Sequence, residues 1–309
     1  MSPKVLVAEP IHKDGIDLLR KHVEVIELLP DSTEDDLRNA VSDVDAIISR
    51  GFIKITKDVL LAAKKLRVIV VHGVGIDHID LDTAKKLRIK VVNTPEALTN
   101  AVAEFTIGLI FSLIKRIPQA DKAVRRGEWH RKFSDLIGID LAGKTIGIIG
   151  LGRIGSAVVR ILRAFNVRLI YYSPRRKYDL ERELGIEFKP IHELLKESDI
   201  ISIHATLTKE TYHMLSYEEF ELMKDGVYIV NTSRGAIMDE KAFLEYLNSG
   251  KIRGAALDVF ETEPLPENSP LLKFDNLILT PHLAASSVDS LRRLAIDSAR
   301  KTLQELGLF

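Results

Sequence analysis

Cysteine is absent from the 309 residues, which excludes disulfides, thiolate nucleophiles and cysteine-ligated metals. HExxH spacing is missing too, so no metal site is expected. Glutamine occurs only at positions 119 and 304, a scarcity of thermolabile side chains found in heat-adapted chains. Charge of one sign is also lacking: 44 basic residues balance 44 acidic ones, leaving no global field to draw in nucleic acid or an anionic membrane surface. The most apolar stretch, 101–114, is too short to cross a bilayer and is interrupted by Glu104. The N-terminus runs directly into a strand-like segment without a basic region and long apolar core, so a cytoplasmic protein is expected. These exclusions leave small molecules and further copies of the chain as partners.

What is present is organised around Lys144-Thr-Ile-Gly-Ile-Ile-Gly150-Leu-Gly152-Arg-Ile-Gly155. An apolar run too short for a helix meets three glycines, and an amphipathic segment (Ile154, Val158, Val159, Ile161, Leu162) follows. That order is strand, tight turn, helix. The first glycine lets the chain reverse, the second lets backbone N–H groups approach a pyrophosphate, and the third lets helix pack on strand. A second strand at 168–172 completes a βαβ unit, which predicts dinucleotide binding.

Strand-like runs at 5–8, 23–28, 46–49, 68–71 and 90–92 alternate with helical ones at 15–21, 33–41, 56–65 and 81–87. The second helix is expected to open on a capping box of Ser32 with Asp35. Alternation restarts at Lys144, with strands at 145–149, 168–172, 200–203, 227–230, 254–258 and 277–279. Two parallel α/β units follow from this pattern. Residues 101–114 read as a buried helix between them, and 288–306 as an amphipathic helix packing back on the first. The expected division is 1–96 and 288–309 for one domain, 97–287 for the other. The apolar 101–114 helix and the arm 129–133 are expected to form a homodimer.

In open α/β sheets ligands bind at the carboxyl ends of strands. There the second unit carries Asn231-Thr-Ser-Arg234-Gly235, then Asp258-Val-Phe-Glu261-Thr-Glu263-Pro264, then Thr280-Pro281-His282. Arginine offers a bidentate fork to a carboxylate. Histidine titrates in the range useful for proton transfer, and a neighbouring carboxylate holds its tautomer. The set suits hydride exchange between a nicotinamide cofactor and a 2-hydroxy or 2-keto acid. The rival of another class is a non-catalytic dinucleotide-binding redox sensor.

Over nearly its whole length the sequence resembles the D-isomer-specific 2-hydroxyacid dehydrogenase family, through Gly150–Gly155, Asn231-Thr-Ser-Arg-Gly235, Ala256-Leu-Asp-Val-Phe260 with Glu263-Pro264, and Pro281-His282. The resemblance implies a Rossmann-like dinucleotide-binding domain plus a discontinuous flavodoxin-like α/β substrate domain. It implies that Arg234 binds substrate, that Glu263 pairs with His282, and that His282 is the general acid/base. It also implies cofactor contacts from Gly150, Gly152, Arg153, Ile154, Gly155, Thr206, Thr232 and, at the nicotinamide carboxamide, Asp258. His204 reads as structural from its surroundings and as a cofactor contact through the resemblance. The loop of Gly73, Val74 and Gly75 would hold the substrate carboxylate through backbone N–H groups, with His72 beside it.

Within the family the likeness is to short-form D-3-phosphoglycerate dehydrogenases, through Arg50 with Lys54, the segment 129–132 and Lys144-Thr-Ile-Gly147. That implies oxidation of 3-phosphoglycerate in serine biosynthesis, with Arg50, Lys54 and a neighbouring subunit's Arg131 near the phosphate. Glyoxylate or hydroxypyruvate reduction is the alternative. Two departures stand out. The arginine usual before the glycine loop is replaced by Val71, and the strand ending at Tyr172 leads into Ser173-Pro174-Arg175-Arg176 without the acid that holds the ribose of NAD. Ser173, Arg175 and Arg176 therefore predict that the cofactor is NAD or NADP, with NADP(H) used at least as well.

Overall fold

The computed structural model describes residues 2–309, and these divide into two compact units, 2–98 with 286–309, and 99–285. In the first, strands β1 (Lys4–Val7), β2 (Glu24–Glu27), β3 (Ala46–Ser49), β4 (Val68–Val71) and β5 (Lys90–Asn93) alternate with helices α1 (Lys13–Arg20), α2 (Glu34–Ala40), α3 (Lys57–Ala62) and α4 (Leu81–Lys86). All pairings are parallel, in the order β2-β1-β3-β4-β5, a flavodoxin-like doubly wound sheet.

The period of two along each strand explains the layers. Leu6, Ile47 and Ile69 face one apolar cluster with Leu37, Val59 and Leu60, while Val5, Val7, Ile48 and Val70 face the other with Ile16 and Leu19. Central strands buried on both faces must be continuously apolar, and β3 and β4 are. Each such side chain withdrawn from water contributes roughly 1.5–3 kcal/mol. The cap of α2 lies one residue later than expected: Thr33 accepts from the Asp36 N–H, and the Asp36 carboxylate accepts from the Thr33 N–H at 2.8 Å. Both residue pairs have the right spacing, and Thr33 carries the extended backbone of a cap.

The second unit contains α5 (Thr99–Ile114), α6 (Ile117–Arg125), β6 (Thr145–Ile149), α7 (Arg153–Leu162), β7 (Arg168–Tyr172), α8 (Tyr178–Leu184), β8 (Glu187–Phe188), α9 (Ile191–Glu197), β9 (Ile200–Ile203), α10 (Tyr217–Leu222), β10 (Val227–Asn231), α11 (Glu240–Asn248), β11 (Ile252–Leu257) and β12 (Leu277–Leu279). Its parallel sheet runs β12-β11-β10-β9-β6-β7-β8, so strand order reverses between β6 and β9, where a Rossmann sheet opens its ligand crevice. α5 is apolar nearly all round because it is buried within this unit, against α7 and the sheet. The last helix, α12 (Val288–Glu305), belongs to the first unit: Ala299 and Leu303 join its core, and a Cβ at Gly15 would fall 2.6 Å from the Ala295 carbonyl oxygen. Among the described residues no helix is long and apolar enough to cross a membrane.

Candidate active site

β6 leads into Gly150, whose φ of +98° suits glycine alone, and a side chain there would strike the His204 carbonyl 2.6 Å away. A Cβ at Gly155 would collide with the Gly150 carbonyl, so helix and strand meet as closely as the sequence requires. At Gly152, by contrast, a Cβ would meet nothing within 4 Å, and no side chain caps α7. The helix therefore presents its first N–H groups, from Arg153 and Ile154 onward, to open space at the switch point, as a pyrophosphate needs. Beside the turn, His204 bonds Ser202 through Nε2 at 2.8 Å, while its Nδ1 is sealed from solvent without a partner. Burial holds its pKa down at about 4, so a neutral imidazole lies here. Thr206 is exposed, and the Thr232 hydroxyl lies 3.0 Å from that of Thr106. These groups fit a dinucleotide.

Three strand ends bring the chemical groups together. After β10, the Asn231 side chain accepts from the Ser233 N–H and donates to the Arg234 carbonyl, both at 3.0 Å, which fixes the turn carrying Arg234. Gly235 follows because its α-carbon lies against the Phe260–Glu261 backbone with no space for a Cβ. After β11, the Phe260 N–H donates to one Glu263 oxygen at 3.0 Å, and the other lies 2.7 Å from His282 Nδ1. Burial pushes the Glu263 carboxyl up, but the hydrogen bond and charge of His282, the Phe260 N–H and the Arg234 charge outweigh it, and its pKa lies below the ordinary value. With Nδ1 facing Glu263, Nε2 is left for a substrate oxygen. The His282 side chain is 40% exposed.

His282 itself has a φ of +51°, a conformation costly for a residue with a Cβ. Asp258, fully buried, holds it: its carboxylate accepts from the Thr280 hydroxyl at 2.6 Å, the Leu283 N–H at 3.0 Å and the Ala284 N–H at 2.8 Å, and its carbonyl accepts from the His282 N–H at 2.8 Å. In this arrangement the carboxylate expected at the nicotinamide is engaged by the loop that carries His282. No local spacing announces that brace, since Asp258 and Ala284 come from different strand ends. A further pair on the same loop went unmarked in the sequence: Glu261 Oε1 accepts from the Glu240 N–H at 3.0 Å and lies 2.7 Å from His213 Nε2.

At the end of β7 the residues expected at the ribose separate. Ser173 is buried and its hydroxyl accepts from the Leu151 N–H at 2.9 Å, tying β7 to the glycine turn. Arg176 is bound by Glu181, and Arg175 is exposed.

The substrate residues expected in the first unit cluster behind β3 and β4. Buried Glu9 accepts from the N–H groups of Arg50, Phe52 and Ile53 at 2.8–3.0 Å and shapes their loop. Arg50 donates to the Pro10 carbonyl at 2.8 Å and stacks over Phe52, whereas Lys54 is exposed. His72 is 5% exposed, bonded to Ser298 at 3.0 Å, with Nε2 unpartnered; burial, and then the Arg50 charge, lowers its pKa to about 3. The Gly73 N–H is already given to Thr94 at 3.0 Å, while Val74 and Gly75 donate to no group among the described residues. Arg131 is paired within its own arm to Glu128 at 2.6 Å and Asp135 at 2.5 Å.

Comparison with known proteins identifies the family. Residues 107–284 match the D-isomer specific 2-hydroxyacid dehydrogenase, NAD binding domain. A glyoxylate reductase of Thermofilum pendens is 44% identical over 311 residues, covering 98% of this chain and 91% of that protein. A D-3-phosphoglycerate dehydrogenase of Methanocaldococcus jannaschii is 44% identical over 288 residues, covering 93% of this chain but 54% of the longer relative. The structure of a D-lactate dehydrogenase from Aquifex aeolicus, complexed with NAD and lactic acid, superposes with a TM-score of 0.87 at 32% identity, covering 99% of this chain and 96% of that one. With an open glycine turn and an Arg, Glu and His set at the ends of one parallel sheet, the chain belongs to the D-isomer specific 2-hydroxyacid dehydrogenases, NAD-dependent oxidoreductases acting on D-2-hydroxy acids.

Proposed function

We propose that this enzyme reduces a small unphosphorylated 2-keto acid, glyoxylate or hydroxypyruvate, to its D-2-hydroxy acid. The observation that carries the reading is the 2.7 Å Glu263–His282 pair on the sheet edge that also presents Arg234. Arg234 grips the substrate carboxylate and polarises the carbonyl. His282 gives its Nε2 proton to the carbonyl oxygen during reduction and takes it back during oxidation, while Glu263 at Nδ1 fixes the ring and steadies its charge. The nicotinamide, when bound, supplies or accepts the hydride.

The small acid is favoured over a phosphorylated one by the distribution of cations. Val71 places an apolar, buried side chain where an arginine would be needed, Arg50 is partly spent on Pro10, and Arg131 is neutralised within its arm. The proximity to glyoxylate reductases supports the same choice. 3-Phosphoglycerate is the second reading, supported by the retention of Arg50 and Lys54 and by similarity to D-3-phosphoglycerate dehydrogenase.

For the cofactor we infer that NADPH serves at least as well as NADH, because position 173 carries no acid to repel a 2′-phosphate and Arg175 is exposed beside it. For assembly we infer a homodimer of cofactor units, on the exposure of Trp129 (64%) and Phe133 (77%). One experiment tests the set: rates with glyoxylate, hydroxypyruvate and 3-phosphohydroxypyruvate, each with NADH and NADPH, on protein of measured solution mass. The unphosphorylated acids should give the higher kcat/KM, and the NADPH advantage should shrink as salt is raised. A tenfold or greater preference for 3-phosphohydroxypyruvate would establish the second reading, and a monomeric mass would remove the dimer.

A further inference from the structure

Two adjacent arginines follow β7, and their surroundings differ. Arg176 donates from Nε and Nη2 to the two oxygens of Glu181, each at 2.9 Å, and its guanidinium lies 4.8 Å from the Tyr178 ring centroid and 5.3 Å from that of Phe188. Glu181, with a side chain 15% exposed, also accepts from the Tyr171 hydroxyl at 2.7 Å. Tyr171 is fully buried, and its oxygen in turn accepts from the Lys177 N–H at 2.7 Å. The guanidinium is thus held by a fork-to-fork ion pair on one edge and by two rings, with a buried phenol fixing the carboxylate. Glu181 stands below the ordinary carboxylate range because Arg176 binds it, so it is ionised at neutral pH.

Arg175 is exposed and bonded to no group among the described residues. A phosphate on the adenine ribose would therefore meet one cation at full charge and a second already neutralised. The two N–H groups of Arg176 that meet Glu181 are closed to that phosphate, and its charge is offset by the carboxylate it holds. The bland alternative is a surface staple joining α8 to β7, whose loss would cost stability alone and leave cofactor choice unchanged.

We propose that Glu181 is a specificity-determining residue: it withholds Arg176 from the 2′-phosphate, so that Arg175 alone reads it and discrimination against NADH stays moderate. The inference rests on the assignment above of the β7 loop to the adenine ribose. It makes Arg175 and Arg176, adjacent in sequence and identical in type, unequal in function.

The test is direct binding to the full-length protein at low ionic strength. NADPH and NADH would be titrated by nicotinamide fluorescence, and 2′,5′-ADP and 5′-AMP by calorimetry. Arg175→Ala should weaken NADPH about tenfold, the scale of one lost charge-assisted bond, and leave NADH within twofold. Arg176→Ala should change the NADPH to NADH ratio less than twofold while lowering Tm. Glu181→Gln, which keeps an acceptor for Tyr171, should strengthen NADPH and 2′,5′-ADP about threefold to tenfold with NADH and 5′-AMP unmoved. An Arg176→Ala loss equal to that of Arg175→Ala, or a Glu181→Gln ratio like the parent's, would overturn the proposal. If the parent protein prefers NADH, the cofactor reading fails, and the Glu181→Gln gain still decides this inference separately.

Discussion

His282 combines two local costs, a left-handed backbone and a half-exposed ring that must stay in one orientation, and its neighbours remove the freedom that would otherwise spoil it. Asp258 brackets its backbone on both sides, and Glu263 holds its ring. Substitution His282→Ala is expected to lower kcat by roughly two to four orders of magnitude, the usual scale of general acid/base help, with cofactor affinity preserved because the glycine turn is untouched. Fluorescence titration alongside steady-state rates checks both halves, and near-native turnover at neutral pH would remove the proton-transfer role. Arg234, Glu263 and His282 were legible in the sequence because each follows a strand and stands in a compact motif. The partners that set their geometry were not. Asp258 reaches Ala284 across 26 positions, and Glu181 reaches Arg176 only because α8 folds back beside β7.

At the scale of elements, the strands were readable wherever both faces are buried, since a continuous apolar run of four or five residues such as Val68–Val71 has few alternatives. β8 escaped notice because it is two residues long and bonded on one side only. The loops after β10 and β11 show what periodicity does not convey. They are pressed together at Gly235, where any Cβ would overlap the Phe260–Glu261 backbone. Gly235→Ala must therefore displace the segment that aims Glu263. We expect a fall in kcat of about tenfold to a hundredfold, the penalty for shifting a catalytic group by about 1 Å, with a loss of about 1–3 kcal/mol in stability from overpacking. Rates and denaturant midpoints measured on the same preparation would test this, and unchanged kcat would mean that the two loops move independently.

Over the whole molecule, each unit carries a histidine that desolvation of its ring keeps neutral: buried His72 with a pKa of about 3 and half-buried His204 with one of about 4, against about 6.5 in the unfolded chain. Their folded values are depressed, so the unfolded state binds protons first as pH falls. The associated stability is complete above pH 6.5 and is lost progressively from there towards pH 4 for His204 and pH 3 for His72, with a limiting slope of about 1.4 kcal/mol per pH unit for each. Urea midpoints should drop between pH 7 and 4.5, and His72→Gln should flatten the fall in the first unit; a midpoint independent of pH over that window would contradict both assignments. The same division of the chain bears on how it is made. Residues 99–285 form a closed core that is complete once they have left the ribosome. The first unit emerges earlier yet lacks α12, the helix that supplies Ala299 and Leu303 to one face of its sheet. Residues 2–98 are accordingly made before the second unit and completed after it, and Val5, Val7, Ile48 and Val70 wait, incompletely covered, until α12 has been made.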